Sequence, residues 1–257
     1  LLGDVRGTLA HLREAATLAE RIGDQPRLGR SFSFAANALY LSGDQRGAIS
    51  AGERALRIAD ALSDFRLRTA TSIYLGRAYQ ALGDYRRALQ LFHEVVECLQ
   101  GDLMRDHLGL PVLPAVFARS LQVWCMGETG QFSDGSRLAE EAIRLAESTN
   151  HPDTRLWAYR GAGLLELARG EAQQAANFLE RAREVCRTYE LPVYVPVIDS
   201  ELGHAYAMLG RTGDGLPLLE DAVQQATARK QVAILAQMML RLGDGKLRVG
   251  LVDEAAS

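Results

Sequence analysis

The feature of this 257-residue chain that most limits its fold is a glycine that returns at a fixed interval. A glycine followed by a turn-friendly residue occurs at Gly3, Gly43, Gly83, Gly130, Gly170, Gly210 and Gly250. Five of the six spacings are 40 residues and the third is 47 residues, so a single seven-residue insertion interrupts the register. A constant period of this length indicates a chain built from stacked repeats.

Small residues keep a fixed place in each repeat, and the apolar residues between them follow helical spacing. Five positions after the glycine stand Thr8, Ala48, Ala88, Gly135, Ala175, Gly215 and Ala255. Apolar residues then recur at intervals of three and four, as in Leu89, Phe92, Val95, Val96 and Leu99. Each repeat is therefore predicted to be two antiparallel helices. The glycine ends the first helix in a left-handed conformation, and an acidic residue such as Asp44 or Asp84 begins the second.

Residues 74–85 read Tyr-Leu-Gly-Arg-Ala-Tyr-Gln-Ala-Leu-Gly-Asp-Tyr and are followed by Ala88 and Phe92. This stretch resembles the tetratricopeptide repeat (TPR), and residues 202–210 repeat its main positions. The resemblance implies an all-α fold, a right-handed superhelix or solenoid of helix hairpins. HEAT and armadillo repeats share the repeat length and are the second choice, because the Leu-Gly-x-x-Tyr-x-x-x-Gly run belongs to the tetratricopeptide pattern.

Composition argues against several classes of partner. With 29 basic and 32 acidic residues the formal charge is −3, so no basic field exists to hold nucleic acid. No run of about 18 apolar residues occurs and no charged-then-apolar leader opens the chain, so we expect neither membrane span nor signal peptide. The three cysteines, Cys98, Cys125 and Cys186, fit reduced thiols in a cytoplasmic protein.

The register predicts one repeat domain over residues 1–257, with five complete units flanked by partial ones. Because neither end resembles a polar capping helix, we expect the sequence to be a fragment of a longer chain. The insertion lies in residues 101–114, which contain Pro111 and Pro114. Proline disfavours helix at the residue before it, so this segment is predicted to be an extended connector. It could serve as a spacer or as a binding loop.

A wider resemblance appears in three stretches, residues 83–88, 110–125 and 216–223. They are similar to the C-terminal repeat region of bacterial class III adenylate/guanylate cyclases that also carry an AAA-type ATPase module. In that family the cyclase and ATPase domains precede the repeats. The resemblance therefore implies a regulatory arm, and it carries no catalytic residue onto this chain.

Motifs for chemistry are incomplete in this sequence. His93-Glu94 is not followed by a second histidine one helical turn later, so the zinc-protease pattern fails. Gly245-Lys246 lacks both the earlier glycine and the following hydroxyl of a phosphate-binding loop. The five histidines are scattered over different repeats. We therefore expect no catalytic site, no metal and no cofactor.

A stack of such hairpins offers a concave groove lined by the first helix of each repeat. Positions six and ten before the landmark glycine are expected to face it, and the candidate binding residues are Asn37, Arg77, Ser120, Trp124, Arg160, Ser200 and His204. Arg77 and Arg160 could hold a carboxylate or an acidic peptide, with Trp124 as an apolar anchor. Alternatively, Trp124 packs between repeats and the arginines are solvated.

The sequence thus predicts a protein-binding regulatory arm of an ATPase-cyclase signalling protein. Its partner would be a protein or peptide ligand, or another domain of the same chain, and the uncapped ends could allow self-association. The first alternative is a stand-alone scaffold, or the repeat arm of another signalling or transcriptional regulator. An enzyme in its own right is a third hypothesis, which a nucleotide-turnover assay would test.

Overall fold

The computed structural model describes residues 5–251, and these residues form twelve α-helices and no strand. The helices are α1 (Val5–Ile22), α2 (Gln25–Leu41), α3 (Gln45–Leu62), α4 (Phe65–Ala81), α5 (Tyr85–Cys98), α6 (Pro114–Glu128), α7 (Phe132–Glu147), α8 (Pro152–Arg169), α9 (Ala172–Thr188), α10 (Val195–Met208), α11 (Thr212–Ala228) and α12 (Val232–Arg248). The prediction of an all-α fold is confirmed. Gly3 and Ala255 of the repeat pattern lie outside the described residues.

The landmark glycines end the even-numbered helices, as the repeat register predicts. Gly43, Gly83, Gly130, Gly170, Gly210 and Gly250 all have φ between 75° and 86°. The amide of the residue after each glycine donates to the carbonyl five residues earlier, for example from Asp84 to Tyr79 at 3.0 Å. This hydrogen bond satisfies a carbonyl that the end of the helix leaves unpaired. Even-numbered helices are therefore the first helices of the repeats, and odd-numbered helices are the second.

Acidic side chains begin several helices. The Asp44 carboxylate accepts a hydrogen bond from the Gly47 amide at 2.9 Å, and Asp84 accepts one from the Arg87 amide at 3.1 Å. Each bond pairs one of the amides that the first turn of a helix leaves without a partner. The predicted caps of α3 and α5 are confirmed.

Within a hairpin, a glycine of the first helix receives a large side chain of the second. A Cβ on Gly76 would lie 2.5 Å from Phe92, and a Cβ on Gly163 would lie 2.7 Å from Leu179. Phe92 therefore fills space inside its own hairpin, whereas Leu75 reaches Gly52 in the preceding one. The small residues of the pattern are needed because the helix backbones approach closely.

The chain divides into two compact units, residues 1–125 and 126–257, and the boundary falls within α6. In the first unit α2 packs on both α3 and α4, and the fully buried side chains include Ile73, Phe92 and Leu121. In the second unit α10 packs on α9, α11 and α12, around residues such as Leu202 and Leu219. Each unit therefore has its own core.

The connector between α5 and α6 differs from the extended segment that its prolines predict. Gly101–Arg105 form a 3-10 helix. Pro111 and Pro114 restrict only the residue before each of them, so they do not force Gly101–Arg105 to be extended. Four apolar side chains of the following stretch are buried: Leu108, Leu110, Val112 and Leu113. The second half of the connector is therefore packed rather than solvent-exposed. Among residues 5–251, no helix combines the length and the apolar character that crossing a membrane requires.

Candidate functional site

First helices of neighbouring repeats pack directly on one another. In the first unit α2 packs on α4, and in the second unit α8 contacts α10 while α10 packs on α12. No two second helices within either unit have comparable packing in the described residues. The side chains at the predicted groove positions therefore meet those of the next first helix. We call this surface of each unit its first-helix face.

In the first unit, Arg77 is the centre of a small cation–aromatic cluster. Its Nη1 donates to the Asn37 Oδ1 at 3.0 Å, so two predicted residues 40 positions apart are brought together. The guanidinium carbon lies 4.2 Å from the centroid of the Tyr40 ring and 5.7 Å from that of Phe117. Arg77 is half-buried, and within the described residues its remaining N–H groups donate to no other side chain. The cluster holds the cation in place and leaves donors for a ligand.

The other predicted residues of the first unit are more enclosed. Ser120 is buried, and its hydroxyl donates to the Val116 carbonyl at 2.9 Å inside α6. Only 9% of the Trp124 surface is exposed, so the indole offers a ligand little area. A role for Trp124 as an apolar anchor remains a prediction, although its burial agrees with the packing alternative.

In the second unit, Arg160 is buried and already paired. Its Nε and Nη2 donate to the Glu201 carboxylate at 2.7–3.1 Å, and its guanidinium lies 4.9 Å from the Trp157 ring. Glu201 has no exposed surface. A ligand carboxylate could reach Arg160 only by displacing Glu201, so this candidate is less accessible than Arg77.

A second arginine lies next to this pair. The Arg241 Nη2 on α12 is 3.9 Å from the Glu201 Oε1, beyond hydrogen-bond distance. His204, one turn after Ser200 on α10, has its Nδ1 3.6 Å from the Asp244 carboxylate of α12. Ser200 is fully buried, and its hydroxyl has no hydrogen-bond partner in the described residues.

Burial and nearby charges alter proton binding in this region. Burial lowers the pKa of His204, and the positive charges of Arg241 and Arg248 lower it further against the opposing effect of Asp244. Burial also lowers the pKa of Arg241, with a smaller contribution from Arg160, while Glu201 and Glu128 act in the opposite direction. His204 is therefore neutral at pH 7, whereas an arginine remains charged.

Sequence reasoning missed Glu201 and Arg241. Both stand nine positions before a landmark glycine, one position away from those chosen as groove-facing. Glu201 and Arg241 hold the same position in two adjacent repeats, and side chains at such equivalent positions become neighbours in the stack. A comparison of the repeats at that position could therefore have identified the pair from the sequence.

No group of three or more histidine, cysteine, aspartate or glutamate side chains within residues 5–251 could hold a metal ion. Burial raises the pKa of the Cys186 thiol to about 12, which leaves it without the thiolate that a nucleophile needs. The first-helix faces offer hydrogen-bond donors and aromatic surface for binding.

Comparisons with known proteins agree with this architecture. The sequence family described as tetratricopeptide repeat matches residues 70–100. A search of curated proteins finds no match. The apo form of RapI superposes with a TM-score of 0.67 at 12% identity, covering 96% of this chain and 93% of RapI. A Rap protein complexed with competence and sporulation factor gives 0.65 at 11% identity, covering 97% and 74%.

A thermophilic TPR protein from Thermus thermophilus gives a TM-score of 0.56 at 18% identity, covering 85% of this chain and 99% of that protein. The fold of this chain is therefore similar to that of tetratricopeptide repeat proteins.

Proposed function

We propose that the chain is a non-catalytic binding module that holds a protein or peptide ligand on its first-helix faces. The observation that carries this proposal is the Arg77 cluster, in which Asn37 and two aromatic rings fix a half-buried guanidinium. A fixed cation loses less side-chain entropy on binding than a solvated one. The similar Rap protein complexed with competence and sporulation factor is a precedent for a ligand on this fold.

The ligand of the first unit would contribute a hydrogen-bond acceptor to Arg77. The guanidinium has five N–H donors, and the bond to Asn37 uses one of them. A carboxylate fits this geometry best, because it accepts two parallel hydrogen bonds from one guanidinium.

We further propose that the module is the regulatory arm of a multidomain bacterial signalling protein of the ATPase/nucleotide-cyclase type, acting in the cytoplasm. This rests on the resemblance of residues 83–88, 110–125 and 216–223 to the repeat region of such cyclases. A ligand would regulate a linked domain only by binding more tightly to one arrangement of the repeats than to another. The alternative is a stand-alone scaffold or the arm of another regulator.

Capture of a partner by the immobilised chain tests the binding proposal. Arg77→Glu should abolish capture, because a carboxylate replaces the donor that the ligand requires. The matched control is Arg46→Glu, an equal charge change at an exposed arginine of the second helix α3. Thermal melting of both variants separates loss of binding from loss of folding. Equal capture by Arg77→Glu and wild type would refute the proposed face.

The regulatory proposal needs a different measurement. Cyclase activity of the full-length parent should change when residues 5–251 are deleted, and Arg77→Glu should reproduce the part of that change that depends on ligand. Identical activity in the intact and deleted proteins would leave the scaffold alternative standing.

A further inference from the structure

The first and last helices that the structure describes both expose apolar side chains. A groove of about 500 Å³ lies between α1 and α2, and its lining includes Leu12, Ala15, Leu18 and Phe34. We call it the α1–α2 groove. On α12, 75% of the Leu240 surface is exposed, and the neighbouring Met239 is exposed as well. Exposed apolar patches of this kind mark surfaces that bind another protein.

The two helices are complementary halves of a repeat. α1 is a second helix and α12 is a first helix, and residues 5–251 contain neither the first helix that would precede α1 nor the second helix that would follow α12. Ala15 on α1 is exposed, whereas the residue at the same repeat position is buried in the five complete repeats. Those residues are Ala55, Val95, Ala142, Ala182 and Ala222. The exposed side of α1 is therefore the side that other second helices bury.

Side-chain sizes in the two helices of a repeat compensate each other. Where the residue seven positions before the landmark glycine is itself glycine, the residue nine positions after it is phenylalanine or leucine and fills the space. Where the earlier residue is alanine or valine, the later one is glycine or alanine. The pairs are Gly76 with Phe92, Gly163 with Leu179, Gly203 with Leu219, Ala36 with Gly52, and Val123 with Ala139.

α12 and α1 satisfy this rule together. Gly243 on α12 stands seven positions before its landmark glycine, so it requires a large residue on the second helix. Leu12 on α1 stands nine positions after its own landmark and supplies one. Both residues are only partly buried, whereas Phe92, Leu179 and Leu219 are fully buried in complete repeats. One face thus has the space and the other has the side chain that fits it.

A second pair of positions matches in the same way. Arg160 of α8 and Glu201 of α10 stand ten and nine positions before their landmark glycines and are in direct contact on adjacent first helices. Leu240 of α12 and Phe34 of α2 hold these same two positions. Both are exposed, Phe34 by 42%. If α12 lay before α2 as α8 lies before α10, these side chains would form an apolar contact.

We propose that the chain associates head to tail, with α12 of one copy in the α1–α2 groove of a second copy. There α12 packs on α1 as its hairpin partner and on α2 as the next first helix, so the contact continues the packing between repeats. A head-to-tail contact leaves one groove and one α12 unoccupied, and further copies add to them. This association is independent of the ligand proposed at Arg77.

Sedimentation velocity of the full chain tests the contact. Oligomers of the wild type should grow past the dimer as the protein concentration rises. Phe34→Glu and Leu240→Glu should each raise the dissociation constant about 30-fold or more, because each places a charge at the centre of an apolar contact. Leu82→Glu, at a 52% exposed leucine just after α4, should change it less than about twofold. All three side chains are exposed in the single chain, and thermal melting checks that the variants fold.

Mixing the two variants distinguishes a head-to-tail contact from other modes of association. Phe34→Glu keeps an intact α12 and Leu240→Glu keeps an intact groove, so an equimolar mixture should form a dimer that does not grow further. A wild-type dimer that Leu240→Glu abolishes and Phe34→Glu leaves unchanged would show that α12 pairs with itself, and would overturn the proposal. A wild type that stays monomeric would also overturn it. Partner capture that depends on Arg77 would still support the proposed function in either case.

A shortened chain gives a second test of the register. Residues 252–257 hold the same repeat positions as residues 5–10, so the register assigns both segments to the same place on α12. A chain that ends at Leu251 should therefore associate at least as tightly as the full chain. Weaker association of the shortened chain would contradict the pairing of α12 with α1.

Discussion

Replacing Gly203 by alanine should destabilise the second unit, because the added methyl group meets backbone. A Cβ at this position would lie 2.8 Å from the Gly215 carbonyl oxygen of α11 and 3.0 Å from the Leu219 Cγ. From the other helix, a Cβ on Gly215 would lie 2.6 Å from the Gly203 carbonyl oxygen. A side chain can rotate away from such a contact, whereas a helix backbone can relieve it only by moving the whole helix.

The expected cost is the difference between two opposing effects. Overpacking of a close-packed interior costs about 1–3 kcal/mol. Alanine gains about 0.5–1 kcal/mol over glycine within a helix, which offsets part of this cost. Since the opposing atom is a carbonyl oxygen, we expect the upper part of the range, a net loss of about 2 kcal/mol. For a chain of this size that loss lowers the melting temperature by roughly 4–8 °C.

Gly213→Ala is the matched control, because no atom lies within 4 Å of a Cβ built there and the residue is also in α11. Its melting temperature should equal or exceed that of the wild type. Hydrogen exchange should place the destabilisation of Gly203→Ala in α10 and α11, since each repeat interacts chiefly with its neighbours. A Gly203→Ala variant as stable as Gly213→Ala would refute the close approach of these helices.

Three further outcomes follow from buried charge and exposure. Arg160→Gln should lower the free energy of unfolding by about 1.5–3 kcal/mol in urea titrations, because the buried Glu201 loses its charge-assisted hydrogen bonds and keeps only Arg241 at 3.9 Å. The pKa of His204 is below the ordinary value of 6.5, so the unfolded chain binds a proton at this histidine more readily than the folded chain does. The free energy of unfolding should therefore fall as the pH drops through about 6.5, and His204→Asn should reduce that fall. A thiol reagent should label the exposed Cys98 in the native chain and reach Cys186 only on unfolding.

The helix hairpins could be predicted from sequence because their determinants are local. A glycine with positive φ and an acidic cap act within one turn, so Gly83 and Asp84 specify the end of α4 and the start of α5 without help from distant residues. The 3-10 helix at Gly101–Arg105 was missed, although it too begins with a glycine of positive φ followed by an aspartate. Its residues are followed by buried apolar side chains, and tertiary packing decides their conformation.

The candidate site was less predictable, because its pairs join residues about 40 positions apart. Register alone brought Asn37 to Arg77, yet it did not indicate that Arg160 would turn to Glu201 rather than to solvent. That choice depends on the rotamers of two long side chains and on which positions of adjacent first helices meet. Neither is encoded within a single repeat.

The polar side chains that join neighbouring first helices are also those that we propose as ligand contacts. A ligand carboxylate on Arg77 would bind the same guanidinium that joins α4 to Asn37 of α2. Binding would therefore act on the contact between α2 and α4 at the position where they touch. Because a ligand shifts an equilibrium only through its different affinity for two states, shared contacts of this kind are what a regulatory arm requires. Unchanged partner capture by an Asn37→Ala variant, which lacks the bond to Arg77, would show that packing and binding are independent.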